Sequence, residues 1–172
     1  PISFISCLTD LGANIRGSAK GSIPIVKLLK EKNSKQFNFF EISSSETIPK
    51  NNIKDIVSNA SEVHLQELNK KHTPVLLGGD HSCAMASISS ASQYCEKHNI
   101  PLYVFWFDAH ADINTQESSE TGNIHGMPVA MLMNIDKSGL ILENKEYFEM
   151  YLKLLEFSTI DNIMIYVKNN KI

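Results

Sequence analysis

The chain alternates between short apolar segments and longer segments in which apolar residues recur every three or four positions. The apolar segments predict five β-strands, which read ISFISC, FNFFEI, PVLLG, PLYVFWF and NIMIYV in chain order. Uncharged strands that alternate with helices are typical of a parallel sheet covered on both faces. The pattern therefore predicts one α/β domain over residues 1–172 with a mainly parallel sheet.

The segments between these strands predict helices that each bury one apolar face. The first begins near Pro24, because proline suits the first turn of a helix. Two further helices are predicted after Pro128 and around residues 147–157. The predicted buried positions are Ile25, Leu28 and Leu29 in the first helix, Ile53, Ile56, Val57, Ala60, Val63 and Leu68 in the second, and Ala84, Met85, Ile88, Ala91 and Cys95 in the third. Three histidines on or near these helices, His64, His72 and His98, are expected at the surface.

The composition is that of a soluble globular protein. Hydrophobic residues make up 42% of the 172 positions, charged residues make up 20%, and the net charge is −3. The negative charge and the single arginine, Arg16, argue against a surface for nucleic acid or for an anionic membrane. No apolar stretch approaches the roughly 20 residues that span a bilayer. The three cysteines are widely spaced, which argues against a disulfide framework, so we expect a cytoplasmic protein.

Two of the predicted strands end in loops that carry possible metal ligands. PVLLGG leads into His81, and PLYVFWF leads into Asp108, His110 and Asp112 at alternate positions. Ligands of open parallel sheets bind beyond the carboxyl ends of the strands, so the two loops meet if their strands are neighbours. Because alternate residues of an extended segment share a face, Asp108, His110 and Asp112 can all point into one pocket. Imidazoles and carboxylates without thiolates favour Mn²⁺, Fe²⁺ or Zn²⁺; the alternative is that these are solvated loop residues without a metal.

A third segment, GNIHGMPVA at 122–130, places His125 between two glycines. Near a water molecule activated by a metal, a histidine can carry a proton at neutral pH. Without such a neighbour, a histidine in this position is structural.

Together these segments resemble the arginase, or ureohydrolase, family. The matching segments are GGDHS at 78–82, DAHADIN at 108–114 and GNIHGMPVA at 122–130, in the family's order, and LGANIRGSAKG resembles its first loop. The resemblance implies a three-layer α/β sandwich. It also implies two Mn²⁺ ions bridged by a hydroxide, which attacks a guanidinium carbon so that L-arginine yields L-ornithine and urea.

The resemblance further implies a role for each matching residue. His81, Asp108 and Asp112 correspond to ligands of the first ion, and His110 corresponds to a ligand of the second, with Asp108 shared. His125 corresponds to the proton carrier for the leaving amine. Asn114 corresponds to a residue that reads the amino-acid end of arginine, and Thr121 and Asn123 offer further neutral polar groups there.

One motif of the family, Ser-x-Asp-x-Asp-x-x-Asp-Pro, does not occur in this sequence. We therefore expect a chain that lacks its C-terminal part and is inactive alone, because two metal-binding carboxylates are absent. The alternatives are an agmatinase or formimidoylglutamase of the same family, or a non-catalytic domain that binds metal or another protein. The apolar strand NIMIYV could pair with a second copy, so a homo-oligomer is possible.

Overall fold

The computed structural model describes residues 1–33, 35–43, 53–133 and 135–136, and the backbone of residues 163–168. Its strands are β1 (Ile2–Cys7), β2 (Phe37–Ile42), β3 (Thr73–Gly78), β4 (Tyr103–Asp108) and β5 (Ile163–Lys168). Its α-helices are α1 (Ser22–Asn33), α2 (Ile53–Asn69), α3 (Ala84–Lys97) and α4 (Pro128–Leu132). Single 3-10 turns cover Ser18–Gly21, His81–Cys83 and Ile124–Gly126. The helix predicted around 147–157 lies outside the described residues.

Three of the five described strands form a parallel sheet, as predicted, and the other two form a separate pair. β1 lies between β2 and β3 and is parallel to both, with Cys7 opposite Ile42 on one side and Gly78 on the other. β5 pairs with β4 in the antiparallel direction, which the alternation of strands and helices does not predict. Among the described strands β3 and β4 belong to separate ladders. Strand pairing therefore does not bring together the loops that follow β3 and β4.

Helices cover both faces of the first sheet. Ser6 of β1 is hydrogen-bonded to Ser22 of α1, whereas the adjacent Cys7 lies in the core formed with α2 and α3. Because successive strand residues point to opposite faces, α1 lies on one side of the sheet and α2 and α3 lie on the other. This gives the three layers that the sequence led us to expect.

The predicted buried face of α1 was wrong at Ile25 and Leu28. Ile25 is 48% exposed and Leu28 is 51% exposed, while Ser22 is buried and Val26 and Leu29 are half-buried. Ser22, Val26 and Leu29 follow helical spacing on one face. The hydrogen bond from Ser22 to β1 sets the rotation of the helix about its axis, and Ile25 and Leu28 then point away from the sheet.

The prediction of a surface position for His64 was also wrong. His64 is 6% exposed and its Nδ1 lies 2.7 Å from Oγ of Ser90, so it joins α2 to α3. Val63 and Leu68 are only half-buried, and the buried face of α2 continues through His64 and Glu67 instead. These polar residues can be buried because α3 and β1 supply hydrogen-bonding partners.

In the part of the chain that the structure describes, one face of β4 is exposed, contrary to the prediction. Trp106 is 4% exposed, but Phe105 is 58% exposed and Phe107 is 76% exposed.

Within the described part of the chain, no helix has both the length and the apolar character needed to cross a membrane.

Candidate metal centre

The turn after β3 is held by the side chain of Asp80. Its Oδ1 accepts hydrogen bonds from the backbone nitrogen of Ser82 at 2.9 Å and from the hydroxyl of Ser82. Its Oδ2 accepts a hydrogen bond of 3.0 Å from the backbone nitrogen of Gly12. Asp80 therefore fixes the 3-10 turn that carries His81, and it ties this turn to the loop after β1.

The loop after β1 packs against that turn so closely that glycine is required at the contact. A Cβ atom at Gly12 would lie 2.7 Å from Oδ1 of Asp80 and 2.8 Å from Oγ of Ser82. The same loop is organised by Asp10, which accepts hydrogen bonds from the backbone nitrogens of Gly17 and Ala19. The resemblance of LGANIRGSAKG to a family loop thus corresponds to a segment that supports the site.

The loop after β4 turns back on itself immediately after the strand. Oδ1 of Asp108 accepts a hydrogen bond of 2.8 Å from the backbone nitrogen of His110. Asp112 adopts a left-handed backbone conformation with φ of 50°, which is uncommon for residues other than glycine, although aspartate tolerates it better than most. The carbonyl of Asp112 accepts a hydrogen bond of 3.0 Å from the nitrogen of Val129 at the start of α4.

Main-chain hydrogen bonds join the segment around His125 to the loop after β1 and to the loop after β4. The nitrogen of His125 donates to the carbonyl of Gly12 at 3.1 Å, and the carbonyl of Gly126 accepts from the nitrogen of Asn114 at 3.1 Å. Backbone hydrogen bonds therefore join GNIHGMPVA to the loops after β1 and β4, and the Asp80 side chain links the loop after β1 to GGDHS.

His81 lies between two carboxylates. Its Nδ1 is 2.7 Å from Oδ2 of Asp108 and 3.0 Å from Oδ2 of Asp112. One ligand atom from each of the three residues lies within 4.8 Å of the other two. The prediction that the loops after β3 and β4 meet is thus confirmed, although the two strands are not paired with each other.

The charges of these three groups affect one another. The contact with Asp112 is the largest influence on the pKa of His81 and raises it; burial lowers it, and Asp108 raises it, so the net shift is upward. Burial raises the pKa of Asp108, but the backbone nitrogen of His110 and the His81 imidazole outweigh this and lower it. The arrangement favours a positive charge between the two carboxylates.

The donor set fits a divalent cation. Oδ2 of Asp112 is buried and lacks a hydrogen bond of suitable direction from any described residue. A buried carboxylate oxygen without a hydrogen bond is costly unless a cation satisfies it. Two carboxylates and one imidazole, with no thiolate among them, are typical ligands of Mn²⁺ and similar ions.

His110 lies outside this group of three ligands. Its side chain is 82% exposed, and its Nδ1 contacts the other carboxylate oxygen of Asp108 at 3.2 Å. The described residues thus assemble one group of three possible ligands. His110 is in contact with one member of that group, Asp108.

One cavity of about 560 Å³ contains all the site residues that the sequence predicts. They are His81, Asp108, His110, Asp112, Asn114, Thr121, Asn123 and His125. Ser119, which sequence reasoning missed, also lines this cavity. Another cavity, of about 480 Å³, lies between α1 and β2 and contains none of the predicted residues.

Sequence reasoning also missed Trp106. Its indole ring stacks on the imidazole of His81, with 4.1 Å between ring centroids and 18° between ring planes. The available signal was its position two residues before Asp108, which places both side chains on the same face of β4.

Comparison with known proteins agrees with this geometry. The profile of the Arginase family matches residues 2–156. The chain belongs to the arginase family. It is 34% identical to an arginase of Bacillus subtilis over 142 residues, which cover 80% of this chain and 41% of that protein. It is 36% identical to an arginase of Plasmodium berghei over 155 residues, which cover 87% of this chain and 41% of that protein.

A solved structure supports the fold of this arginase-family chain. It resembles an arginase of Entamoeba histolytica in complex with L-ornithine, with a TM-score of 0.70 and 28% sequence identity. That match covers 81% of this chain and 50% of the other. The chain therefore spans about half the length of this structure and about two fifths of the two curated relatives above.

Proposed function

We propose that this chain forms the metal-binding part of an arginase-type hydrolase that converts L-arginine to L-ornithine and urea. The observation that carries the proposal is the convergence of His81, Asp108 and Asp112 in one cavity with Asn114 and His125. Imidazole and carboxylate ligands together with neutral polar groups suit a site that holds both a cation and an amino acid.

We assign the first manganese ion to His81, Asp108 and Asp112. The carboxylates supply the negative charge that a divalent cation needs, and the main-chain hydrogen bonds around Asp80 and Asp112 keep the loops in place. When bound, divalent cations lower the pKa of a water molecule and so make a nucleophile available at neutral pH.

His125 is assigned to proton transfer. It lines the same cavity as His81, and its position is set by the hydrogen bond from its backbone nitrogen to Gly12. The main chain holds the segment, which leaves the imidazole free to accept and return a proton. Transfer to the leaving amine of ornithine is the step that needs such a group.

Asn114, Thr121 and Asn123 are assigned to the amino-acid end of the substrate. All three line the cavity and carry uncharged groups that can hydrogen-bond to an α-carboxylate or an α-amine. Agmatine lacks the carboxylate and would leave these groups without that hydrogen-bonding partner. We therefore favour L-arginine over agmatine as the substrate.

Substrate preference is tested by comparing kcat/KM for L-arginine and agmatine in a protein that carries this chain and is active. We expect a clear preference for L-arginine. A preference for agmatine would show that the loop at 114–123 reads a different substrate, and an agmatinase would then be the better assignment.

A second ion requires more ligands than the described residues assemble. On the family pattern that ion has only Asp108 and His110 from this chain, and His110 is largely exposed. We therefore expect the chain of 172 residues to bind one Mn²⁺ but to release no appreciable urea.

Two measurements test this proposal. Calorimetry with Mn²⁺ should show binding that Asp108→Ala abolishes and that the exposed control Glu117→Gln retains. Urea release from L-arginine should appear only when a segment with the Ser-x-Asp-x-Asp-x-x-Asp-Pro motif is added after residue 172. Equal affinity in Asp108→Ala would contradict the metal assignment. Mn²⁺ binding without urea release from the extended protein would favour the non-catalytic alternative.

A further inference from the structure

We propose that Trp106 is a positioning residue that sets the orientation of the His81 imidazole for cation binding. This inference rests on the metal-binding function proposed above. The two rings are nearly parallel, at 18°, and their centroids are 4.1 Å apart. In the same arrangement Nδ1 of His81 points at Asp108 and Asp112.

The alternation of side chains along β4 places Trp106 beneath His81. Trp106 and Asp108 are two residues apart and therefore lie on the same face of the strand. His81 contacts both residues: its ring face stacks on the indole, and its Nδ1 lies 2.7 Å from Asp108. Phe107 lies on the opposite face and is 76% exposed.

His81 needs such a support because its own strand does not fix its position relative to Asp108. Among the described strands, β3 and β4 share no hydrogen-bonded ladder. The side chain of His81 is 35% exposed, and the torsion that rotates an imidazole ring is soft. Contact with a flat aromatic face restricts that rotation.

Trp106 is itself rigidly held. It is 4% exposed and forms a small core with Val129, and the nitrogen of Val129 donates to the carbonyl of Asp112. Trp106 is therefore fixed against the same helix start that holds Asp112. The positions of two of the three proposed ligands, His81 and Asp112, therefore depend on the packing of Trp106 against Val129.

The indole contributes its ring face rather than a hydrogen bond. Nε1 of Trp106 is buried and has no hydrogen-bonding partner among the described residues. A phenyl ring would retain a stacking surface and remove the unpaired donor, whereas an aliphatic side chain would lose the stacking. Phenylalanine and leucine at this position therefore separate ring stacking from simple apolar packing.

The experiment compares Trp106→Phe and Trp106→Leu in the full chain, with Phe107→Leu as a matched control on the other face of β4. Mn²⁺ affinity is measured by calorimetry and by the electron paramagnetic resonance of free Mn²⁺. We expect Trp106→Leu to weaken binding about 10-fold or more, as for other residues that orient a metal ligand. Trp106→Phe should stay within about 3-fold of wild type because it keeps an aromatic face. Phe107→Leu should have no effect.

A double-mutant cycle shows whether Trp106 acts through His81. In a His81→Gln background, which keeps an oxygen donor but no ring, Trp106→Leu should change Mn²⁺ affinity by less than about 2-fold, because the ring that it orients is gone. A loss as large as in the wild type would overturn the inference and indicate a general effect on folding.

A measurement without metal separates this inference from the proposed function. The ring protons of His81 should show upfield NMR shifts from the indole that disappear in Trp106→Leu and persist in Phe107→Leu. Unshifted His81 protons in the wild type would overturn the stacking itself. If the wild type binds Mn²⁺ and Trp106→Leu binds it equally well, positioning alone is overturned. If the wild type shows the NMR shifts but binds no Mn²⁺, the metal function is overturned, and the positioning role for cation binding is overturned with it.

Discussion

Asp112 holds a buried carboxylate oxygen 3.0 Å from Nδ1 of His81 while its own backbone is left-handed. The contact combines an unusual backbone conformation with a carboxylate that lacks a hydrogen bond from the described residues. Such features cluster at functional sites, where the surrounding structure maintains them. Here the hydrogen bond from Val129 to the carbonyl of Asp112 does so.

Replacing Asp112 with asparagine should lower the pKa of His81 and weaken Mn²⁺ binding about 10-fold or more. The carboxylate of Asp112 is the largest cause of the upward shift at His81, and asparagine removes its charge at nearly constant shape. NMR titration of the His81 ring and calorimetry measure the two effects. Glu117→Gln, at an exposed position outside the cavity, serves as the control. An unchanged His81 titration would show that Asp112 does not act on it.

Replacing Gly12 with alanine should destabilise the protein by about 1–3 kcal/mol and weaken metal binding. The new methyl group would lie 2.7 Å from Oδ1 of Asp80, so the carboxylate that supports the His81 turn must move. Gly21→Ala is the matched control, because a Cβ at Gly21 meets no atom within 4 Å. Denaturant unfolding and Mn²⁺ calorimetry measure the difference. Similar stability of the two variants would mean that the loop moves without cost.

Replacing Glu67 with glutamine should remove an acid-dependent part of the stability. Burial raises the pKa of Glu67, but hydrogen bonds from Lys70, Ser3 and His72 outweigh it and hold the pKa at about 2, below the ordinary 4.5. The stabilisation is therefore complete above about pH 4.5 and is lost as the pH falls towards 2. Its size is on the order of 2 kcal/mol, since the charge of half-exposed Lys70 is screened by solvent.

Unfolding free energies measured between pH 7 and pH 2 test this prediction. The wild type should lose more stability than Glu67→Gln in the acid range, and Glu62→Gln, on the exposed side of α2, should follow the wild type. Parallel curves for the wild type and Glu67→Gln would rule out a native carboxylate with a depressed pKa.

Replacing His64 with glutamine should flatten the pH dependence in a different range. Burial lowers the pKa of His64 from 6.5 to about 4. The unfolded chain therefore takes up a proton at a higher pH than the folded chain, and stability falls as the pH drops from 6.5 to 4. The loss is on the order of 3 kcal/mol for a shift of this size. Denaturant unfolding at several pH values measures it, with the exposed His98→Gln as the control; a wild-type curve that is flat over this range would contradict the prediction.

The sequence predicted which residues converge on one cavity better than it predicted the packing of the helices. GGDHS and DAHADIN follow the carboxyl ends of β3 and β4, where the ligand-binding loops of α/β sheets gather, and GNIHGMPVA leads into α4. By contrast, the rotation of α1 depends on the hydrogen bond between Ser22 and Ser6, which joins positions 16 residues apart. Apolar periodicity does not contain that information.

Buried polar residues were the other source of error. His64 was expected at the surface because histidine is often exposed, but Ser90 of α3 supplies the partner that makes burial acceptable. In the sequence pattern, Trp106 is one apolar residue among several in its strand. Its contact with His81 depends on how β4 lies relative to the turn after β3, which the sequence pattern does not define.

The four segments around the cavity are joined by three main-chain hydrogen bonds, from His125 to Gly12, from Asn114 to Gly126 and from Val129 to Asp112, and by one from the Gly12 backbone to the Asp80 carboxylate. Apart from the Asp80 carboxylate, these contacts do not depend on which side chains face the cavity. Substitutions of the Asn114, Thr121 or Asn123 side chains therefore leave the hydrogen bonds between the loops in place. A few substitutions at these positions would change the substrate preference of this architecture while the proposed cation ligands stay unchanged.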